Sequence, residues 1–159
     1  MATRRVTVPS VAEIQASSAG KQNPVLAAVQ FAHLAETTGG ATMGVRRHNV
    51  AQPGSKGYIV GGEPDRHGAR VPTEYTHSTH LNEILGHATR IREGSDHPEA
   101  ALGYWKDAKA PASPFEVDSS ALFSDRRQAM AHGVSRGEKA VFDLGNMRDI
   151  RLRGRRGSN

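Results

Sequence analysis

The sequence contains no cysteine among its 159 residues. This absence excludes disulfide bonds, a thiol nucleophile and zinc sites built from thiolates, and it fits a protein made in a reducing cytoplasm. Strongly apolar residues are also scarce, because Val, Ile, Leu and Phe account for 29 positions, about 18% of the chain. Aromatic residues make up only 5%. We therefore expect one small hydrophobic core with poorly covered extensions.

Long apolar runs are missing as well. No stretch approaches the roughly 18 apolar residues of a membrane-spanning helix. The opening MATRRVTVPSVAEIQ lacks the apolar segment that follows the charges of a secretory signal. We expect neither a membrane partner nor an export signal.

The charge balance is basic. The chain has 21 Lys and Arg against 16 Asp and Glu, a net charge of +5. Such a surface favours acidic partners, either nucleic acid or an acidic protein face, and charge sign alone does not choose between them.

Composition changes along the chain predict four regions. Residues 1–22 are polar and aperiodic, which is typical of an extended arm, and residues 23–40 carry the signals of an N-terminal helix. Residues 41–152 alternate between strand-like and helix-like patterns and predict an α+β domain, followed by a basic tail over residues 153–159.

The first helix has clear end signals. Asn23 is a good N-cap, Pro24 suits the first helical position, and Gly39 and Gly40 stop the helix. The residues predicted to form its packing face are Val25, Leu26, Val29 and Ala32.

The α+β region predicts a small mixed or antiparallel sheet of five to six strands with two or three helices in total. Strands are expected in ATMGV, KGYIVGG, ARVPTEY, ALGYWKD and PFEVDSS, and Pro72 places the third at an edge. Helices are expected in THLNEILGHATRIREG and in FSDRRQAMAHGVSRGEK, where Ser124 is the predicted cap. Gly145 and Asn146 predict a two-residue hairpin between KAVFDL and MRDIRL.

Large aromatic side chains fall within the predicted strands. Tyr104 and Trp105 are neighbours in sequence and must point to opposite faces of a strand. One of them should stay partly exposed or meet a partner, whereas Tyr58 and Phe142 are expected in the core.

Eight histidines raise the question of a metal site. His80, Glu83 and His87 lie on one side of a predicted helix with His77 nearby, and imidazole and carboxylate groups bind divalent ions. A solvated polar face explains the same pattern without metal. Since no HExxH motif is present, we predict no metal and no cofactor, and a metal-dependent enzyme is a minor alternative.

Known catalytic motifs are missing. The chain has no GxSxG, Walker or GxGxxG pattern, and VGGEPDRHG lacks the lysine and the spacing of a phosphate loop. Asp118 and Asp143 are interpreted as strand-end carboxylates that bond a turn or an arginine. We predict a protein that is not an enzyme. The acid, base or nucleophile candidates considered are Asp65, Glu74, Asp118, Ser119, Ser120 and Asp143.

Arginines are concentrated at the C-terminal end, where Arg148 precedes a denser group. Phosphate contact, a solvated tail and docking on acidic residues of a neighbouring subunit are all compatible with this composition. The residues predicted to contact a partner or nucleic acid are Arg4, Arg5, Arg151, Arg153, Arg155 and Arg156.

From Gly40 to Leu152 the sequence resembles a group of small uncharacterised proteins encoded by actinobacterial tailed phages and prophages. The resemblance is carried by SKGYIVGG, LGYWKD, FEVDSSALFSDRRQAMAHG and EKAVFDLGNMRDIRL. It implies no catalytic residues. The N-terminal arm, the Glu138-Lys139 pair and the arginine tail depart from the pattern of the group.

Together these features favour a non-enzymatic structural component of a tailed-phage virion, such as a minor capsid, decoration or head-associated protein. The expected partners are the major capsid protein or copies of the chain itself, contacted through the terminal arms. The expected location is the virion, after synthesis in the host cytoplasm. The alternative is a phage-encoded accessory protein that binds nucleic acid through its arginine-rich tail.

Overall fold

A computed structural model describes residues 23–107 and 109–153 of the chain. These residues form three helices and seven strands, which confirms the α+β class. In the described part, no helix is long and apolar enough to cross a bilayer. In chain order the elements are α1 (Pro24–Thr38), β1 (Gly40–Gly44), β2 (Tyr58–Val60), β3 (Glu74–Thr76), α2 (Leu81–Gly94), β4 (Ala100–Trp105), β5 (Phe115–Phe123), α3 (Arg126–Ser135), β6 (Ala140–Asp143) and β7 (Arg148–Arg151).

Helix α1 begins and ends as its sequence predicts. The Asn23 side chain accepts hydrogen bonds from the backbone N–H groups of Val25 and Leu26, and Gly39 closes the helix in the left-handed conformation. The predicted packing face is only partly right: Ala32 is buried and Leu26 is half-buried, but Val25 and Val29 are exposed. Phe31 and a set of small alanines form the buried face instead, which lets the helix lie close to the sheet. The buried alanines are Ala27, Ala28, Ala32 and Ala35.

The sheet is antiparallel throughout and is organised around the long strand β5. Its strand order is β1-β4-β5-β2-β6-β7, and β3 also pairs with β5. Strand β4 lies along one edge of β5, whereas β3 and β2 share the other edge. Strand β3 pairs with the start of β5 and β2 with its end. The middle residues of β5, 118–120, therefore have no strand beside them on that edge.

All three helices pack on the same face of the sheet. Directly paired residues of adjacent strands share a face, and Ala100, Ala121 and Val60 are paired in this way across β4, β5 and β2. Ala100 belongs to the core beneath α1 and α2, while Val60 packs against Ala129 of α3. Tyr104 is fully buried on this face. As predicted, its neighbour Trp105 is only partly buried, on the opposite face.

Helix α3 rests on a second, smaller apolar cluster, whose buried members are Val60, Ala129, Val141 and Leu152. Its N-cap is Asp125, which accepts a bond from the N–H of Gln128, and not Ser124 as predicted. Gly133 allows the close approach, because a methyl group there would meet Leu152. This second cluster is smaller than the one beneath α1 and α2, and the partly buried Tyr58, Phe123 and Met130 pack against it.

The β6–β7 hairpin differs from its prediction. Its connection spans four residues, from Leu144 to Met147, because the Asp143 carboxylate accepts bonds from Gly145 and Asn146 and so builds a wider turn. Met147 takes a left-handed φ of 51°. The role predicted for Asp143, bonding a turn, is thus confirmed.

Candidate functional site

The gap beside the middle of β5 is crossed by the segment that joins β2 to β3. The backbone N–H of Glu63 in this segment donates to the carbonyl oxygen of Ser119, 2.8 Å away. This bond takes the place of a strand partner and fixes Glu63 over the central strand. The Glu63 side chain is 3% exposed, and carboxylates are rarely buried to this degree unless they are paired.

Glu63 meets His132 and Arg136 from α3 and its C-cap, and His97 from another part of the chain. Its Oε2 lies 2.6 Å from Nε2 of His132 on α3, and its Oε1 lies 3.8 Å from the guanidinium of Arg136. His97, in the loop between α2 and β4, completes the group. One ligand-type atom each from Glu63, His97 and His132 lies within 4.8 Å of the other two. These residues are here called the Glu63 cluster.

His97 has one ring nitrogen in a hydrogen bond and a pKa that burial shifts. Its Nδ1 accepts a bond from the backbone N–H of Glu99, 3.0 Å away. Burial lowers the pKa of His97, the charge of Glu63 opposes that shift, and His132 adds to it. The rings of His97 and His132 pack with their centroids 5.0 Å apart, and Phe123 lies against both. Phe123 therefore covers the two histidines of the cluster with an apolar ring.

A cavity of about 220 Å³ lies next to the cluster, at the same gap in the sheet. Pro64, Ser95 and Ser119 line it. Pro64 follows Glu63 in the chain, Ser95 Oγ accepts a bond from the backbone N–H of His97, and the carbonyl oxygen of Ser119 accepts one from Glu63. Val71, Ile91 and Val117 provide apolar wall. The charged and titratable side chains at its lining are Asp65, Glu74, His87, Arg90 and Asp118.

Glu74 and Arg90 close one side of this cavity. Their side chains form two parallel hydrogen bonds of 2.8 Å, the bidentate arrangement that arginine and carboxylate prefer. This bonding is the main reason why the pKa of Glu74 lies below its ordinary value. His87 lies 3.2 Å from the same carboxylate.

The helix-borne set considered from the sequence is only partly assembled. His87 Nε2 lies 3.6 Å from Glu83 Oε1, but His80 is exposed at the N-cap of α2. Within residues 23–107 and 109–153, the one set of three or more possible metal ligands that comes together is the Glu63 cluster. His77, His80, Glu83 and His87 do not form such a set there.

The acid, base and nucleophile candidates are only partly brought together: Asp65, Glu74, Asp118 and Ser119 line the cavity, whereas Asp143 lies at the β6–β7 turn. Asp118 lies within β5 and not at a strand end as predicted, and Ser120 Oγ donates to its Oδ2 across 2.9 Å. Burial raises the pKa of Asp118. Asp65 accepts bonds from two backbone N–H groups of its own loop.

A second concave surface includes residues of the sheet face opposite the helices and extends to the C-terminal end of α1, where Leu34 and Thr38 also line it. The indole of Trp105 and the ring of Phe142 are 5.9 Å apart between centroids. They border a groove of about 430 Å³ together with Ile59, Lys106 and Met147. Met147 is 49% exposed. We call this surface the Trp105 groove.

The arginines predicted to contact a partner are only partly within the described chain. Arg151 on the edge strand β7 and Arg153 just after it are exposed. Arg4, Arg5, Arg155 and Arg156 lie outside the described residues. Their predicted role stays a prediction.

Comparison with protein families, with curated proteins and with solved structures gives no match to this chain. The functional interpretation therefore depends on the geometry of the Glu63 cluster and of the Trp105 groove.

The Glu63 cluster was not predicted from the sequence. Glu63 and His132 are 69 residues apart and His97 lies between them, so no short spacing links them. Glu63 lies in VGGEPDRHG, a glycine-rich segment that lacks the lysine and the spacing of a phosphate loop. The available signal was a carboxylate beside two glycines that allow tight chain reversal, and that signal does not indicate which histidines it meets.

Proposed function

We propose that this chain is a non-enzymatic structural component of a tailed-phage virion, a minor capsid, decoration or head-associated protein that docks on a neighbouring subunit. The observation that carries the proposal is the Trp105 groove, a mostly apolar concavity bordered at one end by Leu34 and Thr38 of α1 and by exposed Met147. Large aromatic side chains around a concave apolar floor are typical of protein contact sites. The resemblance to phage-encoded proteins supplies the setting.

The groove favours a partner with an apolar side chain flanked by acid groups. Its lining is mostly apolar, with Trp105, Phe142 and Leu144 among its members, and Lys106 provides a cation. The chain carries a net charge of +5, which attracts an acidic partner surface. A neighbouring capsid subunit with an apolar side chain between carboxylates matches both features.

Incorporation into particles tests the proposal. Met147→Glu places a negative charge at the exposed border of the groove, and Val134→Glu makes the same kind of change on α3, on the other side of the sheet. Quantitative mass spectrometry of purified particles should find the wild-type chain and Val134→Glu, and at least about tenfold less Met147→Glu. Absence of the wild-type chain from particles, or equal incorporation of all three, refutes the proposal.

The alternative role is nucleic-acid binding through arginine. The exposed residues Arg148, Arg151 and Arg153 follow one another along the edge strand and beyond it. This role predicts DNA binding that weakens steeply with salt, with a log–log slope reduced by about one for each phosphate contact removed. Absence of binding at low salt eliminates it.

A further inference from the structure

We propose that Glu63, His97 and His132 form a binding site for a divalent transition-metal ion of the zinc type. The proposal goes beyond the role in the virion and does not depend on it. It concerns a site on the helix-bearing side of the sheet, separate from the Trp105 groove.

The donor chemistry fits such an ion. Two imidazole nitrogens and one carboxylate oxygen are a ligand set that Zn²⁺ uses, and they suit borderline ions better than Mg²⁺ or Ca²⁺, which prefer oxygen alone. Glu63 and His132 are largely buried. An ion bound there would be partly shielded from water, which strengthens its attraction to Glu63.

The distances lie close to those of a bound site. Ligand atoms about 2.0–2.2 Å from a common tetrahedral ion are roughly 3.3–3.6 Å from one another. The Glu63–His132 contact of 2.6 Å is shorter than this, and the limit of 4.8 Å for the whole set is longer. Side-chain movements of about 1 Å would bring all three atoms to a common ion, with no change of the backbone.

The ion would replace existing contacts. It would replace the direct contact between Glu63 and His132, and the Arg136 guanidinium, 3.8 Å from Glu63, would move away from the added charge. The bond from the Glu99 N–H to Nδ1 of His97 is lost in either binding mode. If Nδ1 binds the ion, its lone pair is used. If Nε2 binds the ion, Nδ1 carries the ring proton and cannot accept a bond. These exchanges make binding a competition between the ion and a formed hydrogen-bond network.

The location indicates a structural use for the ion. Glu63, His97 and His132 belong respectively to the β2–β3 segment, the α2–β4 loop and α3. Among the described residues, the second apolar cluster and the partly buried Tyr58, Phe123 and Met130 also hold α3 on the sheet. An ion at the Glu63 cluster would join these three segments as a cross-link, in a chain that has no disulfides.

Calorimetry with Zn²⁺ tests the site. The full chain is first treated with chelator and then titrated with Zn²⁺ alone. We expect one ion per chain and a dissociation constant at least about tenfold higher in His97→Gln and in His132→Gln. The control His33→Gln changes an exposed histidine on α1 and should bind like the wild type. No stoichiometric binding, or binding unaffected in both cluster variants, overturns the proposal.

A measurement on the wild type avoids variants that fail to fold. Diethyl pyrocarbonate modifies accessible imidazoles, and peptide mass spectrometry locates the modified residues. Zn²⁺ should reduce modification of His97 and His132 several-fold and leave His33 unchanged. Equal modification of the two cluster histidines with and without Zn²⁺ overturns the proposal independently of any substitution.

Discussion

His132 Nε2 lies 2.6 Å from Glu63 Oε2, although 69 residues separate the two in the chain. Both side chains are largely buried, so the contact is made where water is scarce. A buried carboxylate must be compensated by donors, and His132 and Arg136 supply them. The pair therefore ties α3 to the β2–β3 segment with or without a metal ion.

Glu63→Gln tests the strength of this tie. Gln keeps the size of the side chain but removes the charge that attracts His132 and Arg136. We expect a loss of about 2–3 kcal/mol in the free energy of unfolding, measured by urea denaturation in the presence of chelator. Glu93→Gln, at an exposed position on α2, should stay within about 0.5 kcal/mol of the wild type. Equal stability of the two variants contradicts the account.

Glu74 predicts a pH dependence. The hydrogen bonds from Arg90 are the main cause of its lowered pKa, and hydrogen bonding to Thr76 likewise lowers the pKa of Glu83. A carboxylate with a lower pKa in the folded state stabilises the fold above its unfolded pKa of about 4.5. This stabilisation disappears as the pH falls through the folded pKa.

The wild type should therefore be more stable than Glu74→Gln near pH 7, and the difference should vanish near about pH 2. Urea unfolding of both proteins across this range measures it. A difference that is constant with pH would mean that the charge of Glu74 does not contribute.

Two glycines should respond in opposite ways to alanine. Gly62 has a φ of 66°, and a methyl group there would overlap the Glu138 carboxylate. Gly62→Ala should cost about 1–3 kcal/mol. Gly86 lies in α2 with open space around it, so Gly86→Ala should stabilise the fold by about 0.5–1 kcal/mol. Thermal unfolding followed by circular dichroism distinguishes the two, and changes of the same sign would contradict the prediction.

The Tyr104 hydroxyl is buried and has no hydrogen-bond partner among the described residues. Burial also raises the pKa of this phenol. Tyr104→Phe removes the unpaired group and keeps the ring that packs against Phe31, so stability should be unchanged or up to about 1 kcal/mol higher. Tyr104→Ala should cost about 3–5 kcal/mol. A large loss in Tyr104→Phe would mean that the hydroxyl has a partner.

The sequence predicted features that depend on neighbouring residues. The cap at Asn23, the stop at Gly39 and the opposite faces of Tyr104 and Trp105 follow from local geometry, and all three are confirmed. The packing face predicted for α1 was right at Ala32 but wrong at Val25 and Val29, because hydrophobicity indicated the valines, whereas close packing on the sheet selected alanines. Which side chains of a helix are buried depends on the surface that the helix packs against, and residues distant in sequence form that surface.

The Glu63 cluster could not be predicted from neighbouring residues in the sequence. The Glu63 cluster forms because β2 and β3 share one edge of β5 and leave a gap, and strand order was not predictable from periodicity. Of the Trp105 groove, the sequence predicted only that Tyr104 or Trp105 stays partly exposed. Its other members come from the end of α1 and from separate loops and strands.

Oxidative footprinting of Met147 in purified particles tests the central proposal most directly. Met147 is 49% exposed in the isolated chain and borders the Trp105 groove, whereas Met130 on α3 lies on the other side of the sheet. If the groove docks on a neighbouring subunit, peroxide should oxidise Met147 readily in the free protein and at least several-fold more slowly in particles, with Met130 unchanged. Equal oxidation of Met147 in both states, or particles that lack the chain, would contradict the proposal.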